Sequence, residues 1–596
     1  MSTLSNIFPI IEWLPRYGRS DIRGDVIAGL TVAVMIIPQA IAYGLLAGVP
    51  PEVALYASIV PMFVYVLLGT CRELSVGPAA LISLMTAQAI HEVRPGIEMG
   101  GPEWVATAIL LAVMVGAVQL GLGLVRLGAV VQFLSRPVVS GFMSAAALII
   151  AGSQIQLLMG TPVKGEGFFA TILAAIGAVP QAHMATVGLA CACIVLMAVS
   201  RVKMKGFPMP FVLVVITTVL SYMLGFSSHG IAVVGPVEGG MPMPSIPQTS
   251  WDQVQNLVPY AIPIALVGFL ESISVAKAYG FQHHYDVDAN QELRAVGLSN
   301  LLGGLFGGYV VTGNISRTVV SAQAGAKSQV YALITASLVL LTVLVLAPLF
   351  EHLPKAMLAA MIVVAVAGIV DVKEALRLFS FKKRDATALI ITFSATLSLG
   401  VEVGILTGVA SSLILHLYQT TTPHMAVLGR LPGTSHWRDT GRYRDAIIED
   451  AVIVIRIDES LYFANAPALR DAVEHAYNVH PAHPRGFVLD CMAINDLDST
   501  AIDTLQQIAN EMKIEDTQLC LAGLSGPVFD ILEASGCLEH IGEEHLYTTV
   551  HDAVLSFGVG DPTEEPPDEP RRMQWSPLRV KGTEGIEANE PIASDL

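Results

Sequence analysis

The sequence predicts an α-helical membrane protein that carries a soluble α/β domain after its last span. Three observations lead there. The 596 residues are 53% hydrophobic and 14% charged, with a mean hydropathy of +0.61, whereas soluble domains carry about 25% charged residues. Apolar runs fill positions 25–425 with few interruptions. After 425 the pattern turns to short strands alternating with helices, which reads as one small α/β domain.

The elements follow in order. Residues 1–24, MSTLSNIFPIIEWLPRYGRSDIRG, read as a short amphipathic entry helix with its basic residues on the inner side. Fourteen apolar runs come next, at 25–44, 53–69, 79–92, 104–125, 135–158, 184–200, 209–226, 258–278, 293–308, 315–325, 329–350, 354–369, 385–400 and 402–420. A helix needs about 20 apolar residues to span. Runs 79–92 and 315–325 fall well below that, and short segments of this kind point to broken helices at a binding site.

Lysine and arginine set the orientation. With the N-terminus inside, alternate loops collect Arg72, Arg126, Arg136, Arg201, Lys203, Lys205, Lys373, Arg377, Lys382, Lys383 and Arg384, while 227–257 holds neither residue type. An even count preserves that bias and puts both ends in the cytoplasm. Fourteen divides as seven plus seven, and an odd number of spans per half makes the halves inverted. The third and tenth segments are then equivalent. Each of 73–89 (ELSVGPAALISLMTAQA) and 309–324 (YVVTGNISRTVVSAQA) begins extended, passes a glycine and becomes a short helix ending in Ala-Gln-Ala.

Residues 426–440 read as a linker and 441–557 as the α/β domain. Within it, 451–466, 485–495 and 517–524 are strand-like, and 467–479, 499–513, 526–536 and 549–557 are helical. Ser499 is the candidate N-cap of its helix. The net charge of −17 is unevenly placed, and the C-terminal end is acidic and Pro-rich, so 558–596 reads as a disordered tail. The six cysteines (71, 191, 193, 491, 520, 537) show no metal spacing, and a disulfide framework is not expected. No metal site or cofactor is implied. No nucleophile–base pair or phosphate loop is present either, so the chain does not read as an enzyme.

Arg317 is the informative residue. An arginine at mid-depth costs about 2.5–3.5 kcal/mol on insertion scales, and here it stands at a helix N-terminus, whose dipole opposes it. Two broken helices meeting head to head would aim both positive ends at one point. Free N–H groups near Ala79–Ala80 and Ile315–Ser316 would point there too. With Arg317 added, that point is an anion site. A structural pairing of Arg317 with a buried carboxylate is the other reading. Glu271, a lone acid inside 260–280, is the candidate partner. It would carry a proton across, pair with Arg317 when no anion is bound, or stay neutral in a packing role. In 34–51, Pro38 inside a helix frees a carbonyl and kinks the helix. Gln39 and Tyr43 follow one turn apart, placed either to hydrogen-bond an oxyanion or to pack.

Five stretches in order, DVIAGLTVAVMIIPQAIAYGLLAGVPPEVALY, SVGPAALISL, ESISVAKAYG, NQELRAVGLSNLLGGLFGGYVVTGNISRTVV and RIDESLYFANA, together resemble the SulP (sulfate permease) family of anion transporters over nearly the whole chain. The resemblance implies a UraA-type arrangement, in which a core domain (segments 1–4 and 8–11) moves against a gate domain (5–7 and 12–14). It also implies a cytoplasmic STAS domain at the C-terminal end, a homodimer, and an integral cell-membrane location. Matched by position, Gln39 and Tyr43 are first-span substrate contacts. Ala80 and Ser83 belong to the third-span half-helix, and Ser316 with Arg317 to the tenth. Glu271 matches the acidic position linked to proton coupling, and Ser499 the position phosphorylated in soluble STAS relatives, although Ser-Thr stands here where Ser-Gly is usual. The expectation is proton-coupled sulfate uptake by an elevator mechanism. Sodium-coupled bicarbonate or dicarboxylate carriage is the alternative within the family, and a passive anion channel or a STAS-linked anion sensor the alternative outside it.

Overall fold

The structure, a computed structural model, describes residues 8–559 apart from 129–134, 164, 166, 204–207, 238, 242 and 245–248, and it leaves out the side chain of residue 402. Lys205, residues 1–7 of the entry segment and the acidic tail from 560 lie outside the described residues. The chain forms two compact units, Met1–Leu413 and Ile414–Leu596. Among the described residues, nine helices are long and apolar enough to cross a membrane.

The entry segment is shorter than the expected helix. Helix α1 (Ile10–Trp13) runs into a single 3₁₀ turn, because Pro15 cannot continue the hydrogen-bond ladder. The next helix, α2 (Arg19–Ala47), already starts at Arg19. Its entry is fixed by Asp21, whose Oδ2 accepts from Gly18 N at 3.0 Å. Residues 19–24, expected in the entry segment, therefore belong to the first span.

Helices α3 (Pro51–Tyr56) and α4 (Val60–Leu68) follow. Strand β1 (Val76–Gly77) then leads into α5 (Ala80–Val93), and α6 (Pro102–Leu124) comes next. Helices α7 (Arg136–Ser153), α8 (Phe168–Ala178), α9 (Met184–Lys203) and α10 (Met209–Leu224) precede the long α11 (Trp251–Gln282) and α12 (Ala289–Leu305). Strand β2 (Thr312–Gly313) leads into α13 (Ile315–Gln323). The spans close with α14 (Val330–Leu341), α15 (Lys355–Ala367), α16 (Lys383–Leu399) and α17 (Val401–Thr421). The sequence reading missed α8. Its apolar stretch is too short to register as a span, yet Phe169, Leu173 and Ile176 stand exposed on it.

These helices pack in two groups. α2–α6 pack with α11–α14, and α7–α10 pack with α15 and α16; the groups touch through α2 and between α5 and α7. The division follows the one that the resemblance implies. Within the first group, α6 crosses α12 at glycines. A Cβ on Gly116 would lie 2.4 Å from Leu301 N, and one on Gly297 would lie 2.6 Å from Leu120 N. Only glycine allows the two backbones to approach so closely, which is how helices pack without a hydrophobic drive between them.

The second unit holds a six-stranded sheet in the order β4-β3-β5-β6-β7-β8. β5 (Val452–Ile457), β6 (Gly486–Asp490), β7 (Gln518–Ala522) and β8 (Leu546–Tyr547) are parallel. Ile453, Ile455 and Ile457 face α18 (Ala466–Val479) and α19 (Ser499–Ile514), packing with Leu469 and Leu505, whereas Val452 and Val454 pack with Val488, Ala553 and Val554 on the other face. Both faces are covered, as a parallel sheet requires.

Two expectations are corrected here. Residues 426–440 are not a linker. They hold most of β3 (Met425–Arg430) and all of β4 (Trp437–Asp439), an antiparallel hairpin that extends the sheet beyond β5. Leu428 and Trp437 are buried under it. Ser499 is not the N-cap of α19. Asp498 is, its Oδ1 accepting from Ala501 N at 2.8 Å and its Oδ2 from Phe463 N at 2.6 Å. The carboxylate one residue earlier meets the free N–H groups first and leaves Ser499 exposed. All six cysteines are free.

Candidate functional site: two broken helices around Arg317

The site grows from the pairing of two very short strands. β1 and β2 run antiparallel with Val76 opposite Gly313 and Gly77 opposite Thr312. Each strand hands its chain to a helix within three residues, so α5 and α13 start beside one another. The strands are too short to hold themselves, and side chains from neighbouring helices complete their pairing. Asn300 on α12 acts as a surrogate strand residue, donating from Nδ2 to Val311 O at 2.9 Å and accepting from Val311 N at 2.7 Å. Gln119 on α6 steadies Asn300 at 3.0 Å and itself donates to Ala265 O on α11 at 2.9 Å. Ser272, on α11, accepts from Gly313 N at 2.8 Å and lies 2.9 Å from Thr312 Oγ1. On the other strand, Ser75 N donates to Thr318 Oγ1 at 3.0 Å, and Ser75 O accepts from Asn314 N at 2.9 Å.

The two helix starts are capped differently. Asn314 caps α13, its Oδ1 accepting from Arg317 N at 3.1 Å and from Ser316 Oγ at 2.7 Å. Ala79 precedes α5 and offers no side-chain acceptor. The first N–H groups of a helix lack intrahelical partners, so α5 presents its donors bare.

Arg317 is fully buried. Its side chain reaches across to the segment that opens α5, donating from Nη1 to Pro78 O at 2.8 Å and from Nε to Ser75 Oγ at 3.3 Å. Nη2 has no hydrogen-bond partner. Gly77 makes room for it, since a Cβ there would lie 3.1 Å from Nη2. Both acceptors are neutral, and no carboxylate lies within 4 Å among the described residues. The positive charge is thus held but not neutralised.

The other expected residues fall around it or elsewhere. Ala80 is the first residue of α5. Ser83, one turn on, shares a hydrogen bond of 2.8 Å with the Tyr309 hydroxyl. Ser316 is exposed beside Arg317. Tyr43 and Glu271 lie within electrostatic range of Arg317, as does Tyr309. Gln39 sits on α2 one turn before Tyr43, and its buried Oε1 has no partner. Helix α2 packs against both α5 and α13. Glu271 is half-buried on α11 with Oε2 unpartnered, so the direct ion pair with Arg317 is not formed. Ser499 lies in the second unit and is no part of this site.

Sequence reasoning missed Ser75, Asn314, Asn300, Gln119 and Tyr309. Asn314 carried a signal, being a cap-forming residue just before the predicted helix start. Asn300 and Gln119 were lone amides in apolar runs and were readable only as a pair.

The arrangement concentrates one buried arginine and two positive helix ends among apolar helices. Such broken-helix crossings define a class, the multi-pass membrane transporter. The chain belongs to the Sulfate permease family, whose model matches residues 22–392, and a STAS domain matches residues 443–553. It is 34% identical over 576 residues to "Sulfate transporter 4.1, chloroplastic" of Arabidopsis thaliana, covering 92% of this chain and 82% of that one. A protein described as a probable sulfate transporter of Mycobacterium tuberculosis is 34% identical over 549 residues, covering 92% and 98%. The solved structure of the murine Solute Carrier 26 family member A9 anion transporter in the inward-facing state superposes with a TM-score of 0.85 at 26% identity, covering 93% of this chain and 94% of that one.

Proposed function

We propose that this chain is a secondary active transporter that brings an inorganic oxyanion, sulfate first, into the cell together with protons. The observation that carries the reading is the fully buried Arg317, with Nη2 unpartnered between two helix starts. An oxyanion there accepts from Nη2 and from the bare N–H groups of α5, and charge-assisted bonds of that kind are the strong ones. Ala80 and Ser316 mark the two helix ends that meet the anion, with Ser83 one turn behind. Gln39 and Tyr43 select among oxyanions, the Gln39 amide presenting its NH₂ by rotation. Glu271, with one oxygen unpartnered, takes up and releases the coupling proton. The sulfate transporters among its relatives support sulfate over bicarbonate.

Movement is of the elevator type, with the group that holds the crossing sliding against the group formed by α7–α10 and α15–α17. Apolar lining from Val138, Val139, Phe142, Val267, Leu270 and Ile405 between the groups supports a low-friction contact. The protein works in the cell membrane as a homodimer with both ends cytoplasmic. Ser499 is exposed at a helix start already capped by Asp498, which leaves its hydroxyl accessible for a regulatory role.

The test is labelled sulfate uptake into proteoliposomes held at pH 8 inside, with the outside stepped from 8 to 6 and no sodium present. Accumulation that rises on the acid step is the expected result. Uptake only with a sodium gradient and bicarbonate points to the other coupling. Flux without accumulation marks a channel, and no flux a sensor.

A further inference from the structure

A second polar cavity lies away from the Arg317 crossing. Its volume is about 560 Å³, and it opens between the N-terminal turn and three loops, those after α4, after α11 and before α14. One buried polar atom on its walls lacks a partner. Gln329 spends its Nε2 on Cys71 O and Leu74 O, at 2.7 and 3.0 Å, and leaves Oε1 unpartnered. The Tyr17 hydroxyl faces the Asp25 carboxylate. Gln329 and Tyr17 both line the cavity, and a buried polar group left unpaired is costly.

The charges on the walls come in both signs. Asp21 and Asp288 are spent on backbone N–H groups, with Asp21 accepting from Gly18 N at 3.0 Å and Asp288 from Asn290 N at 2.8 Å. Arg72 stacks on the Tyr285 ring, 4.8 Å from its centre. That leaves Arg16 and Lys327 as cations and Glu12 and Asp286 as anions, with side chains unengaged among the described residues. A simple anion gains little from so mixed a wall. A ligand with an ammonium at one end and a phosphate at the other matches it. The unfilled Gln329 oxygen needs an N–H donor, which a primary ammonium supplies and a trimethylammonium does not.

The surroundings indicate the source of the ligand. Ile10 and Trp13 pack onto the span cluster built by Ala28, Val32 and Tyr331. On the same short stretch Ile11 and Leu14 are exposed, at 45% and 51%. Apolar side chains exposed beside a Trp and basic residues mark the membrane–water boundary. The cavity rim therefore faces lipid headgroups.

We propose that this cavity binds a phosphate-bearing primary amine, supplied as the headgroup of an ethanolamine phospholipid, with Arg16 and Lys327 on the phosphate and Asp286, Glu12 and Gln329 Oε1 on the ammonium. The occupant ties the N-terminal turn to the loops that lead into β1 and α14.

The test uses the purified full-length protein in detergent, titrated with phosphatidylethanolamine, phosphatidylcholine or soluble phosphoethanolamine. Readouts are melting temperature and lipid retained per chain by native mass spectrometry. The expected result is a rise in melting temperature of several degrees with phosphatidylethanolamine alone, and about ten-fold weaker retention in the Arg16→Gln, Asp286→Asn double variant. Both substitutions are at the cavity wall and away from the transport site, and the lipid-free variant should melt with the wild type. A variant that melts early without lipid is replaced by Lys327→Gln, read by retention alone. An equal shift from soluble phosphoethanolamine overturns the lipid assignment. An equal shift from phosphatidylcholine, no shift from any probe, or full retention by the variants overturns the site.

Discussion

α5 and α13 both follow a two-residue strand, both begin beside Arg317, and each half of the chain supplies one of them. Their first residues nevertheless divide the work. α13 carries the charge and the cap, with Arg317 and Asn314. α5 carries neither, opening with Ala79 and Ala80. Had both been capped, few free donors would remain for a ligand. Had both carried an arginine, two buried like charges would repel in low dielectric. Two alike strand-to-helix turns make the meeting point, and their unlike first residues give it a charge on one side and free donors on the other.

The largest test of this comparison removes the charge. Arg317→Ala should lower sulfate uptake by on the order of 100-fold, the loss of a charged hydrogen bond worth up to about 3 kcal/mol. Normal uptake in proteoliposomes would sink the account of the site. Glu271→Gln probes the group nearest in charge. Uptake should persist but become independent of outside pH between 6 and 8, and a retained acid stimulation would move the coupling role to another residue. Ala79→Ser makes the two starts alike by adding a cap to α5. Uptake should fall several-fold while thermal stability holds or rises, because the new hydroxyl competes with the anion for the same N–H groups; unchanged uptake would mean that the bare end is not used. The smallest effect is expected for Asn314→Ala, a lost cap costing about 1 kcal/mol. It should show as a lower melting temperature and a modest rise in KM.

Much of this was legible in the chain. The runs at 79–92 and 315–325 were too short to span, and both proved to be helices fed by strands. Arg317 stood out because it had no acidic neighbour in sequence. The alternation after 450 located the main strands of the soluble sheet. The unread parts depend on partners far along the chain. Asn300 pairs with Val311 only because the chain turns back on itself there, and Gln119 joins them from 181 residues away. β3 and β4 read as a linker because they are only six and three residues long. Ser499 was the expected cap, but the adjacent Asp498 is as good a cap former, and only backbone geometry decides between them.

The bonds from Arg317 to Ser75 and Pro78 span 242 and 239 positions, which makes the crossing a matter of timing during synthesis. At about 5–20 residues per second, the opening of α5 waits roughly 10–50 s before the arginine that braces it is made. In that interval β1 has no partner strand, and the start of α5 stands bare in the membrane. When α13 does emerge it is too short and too charged to enter lipid alone, so it must enter against the first half already in place. The helices made first thus serve as the surface that receives α13.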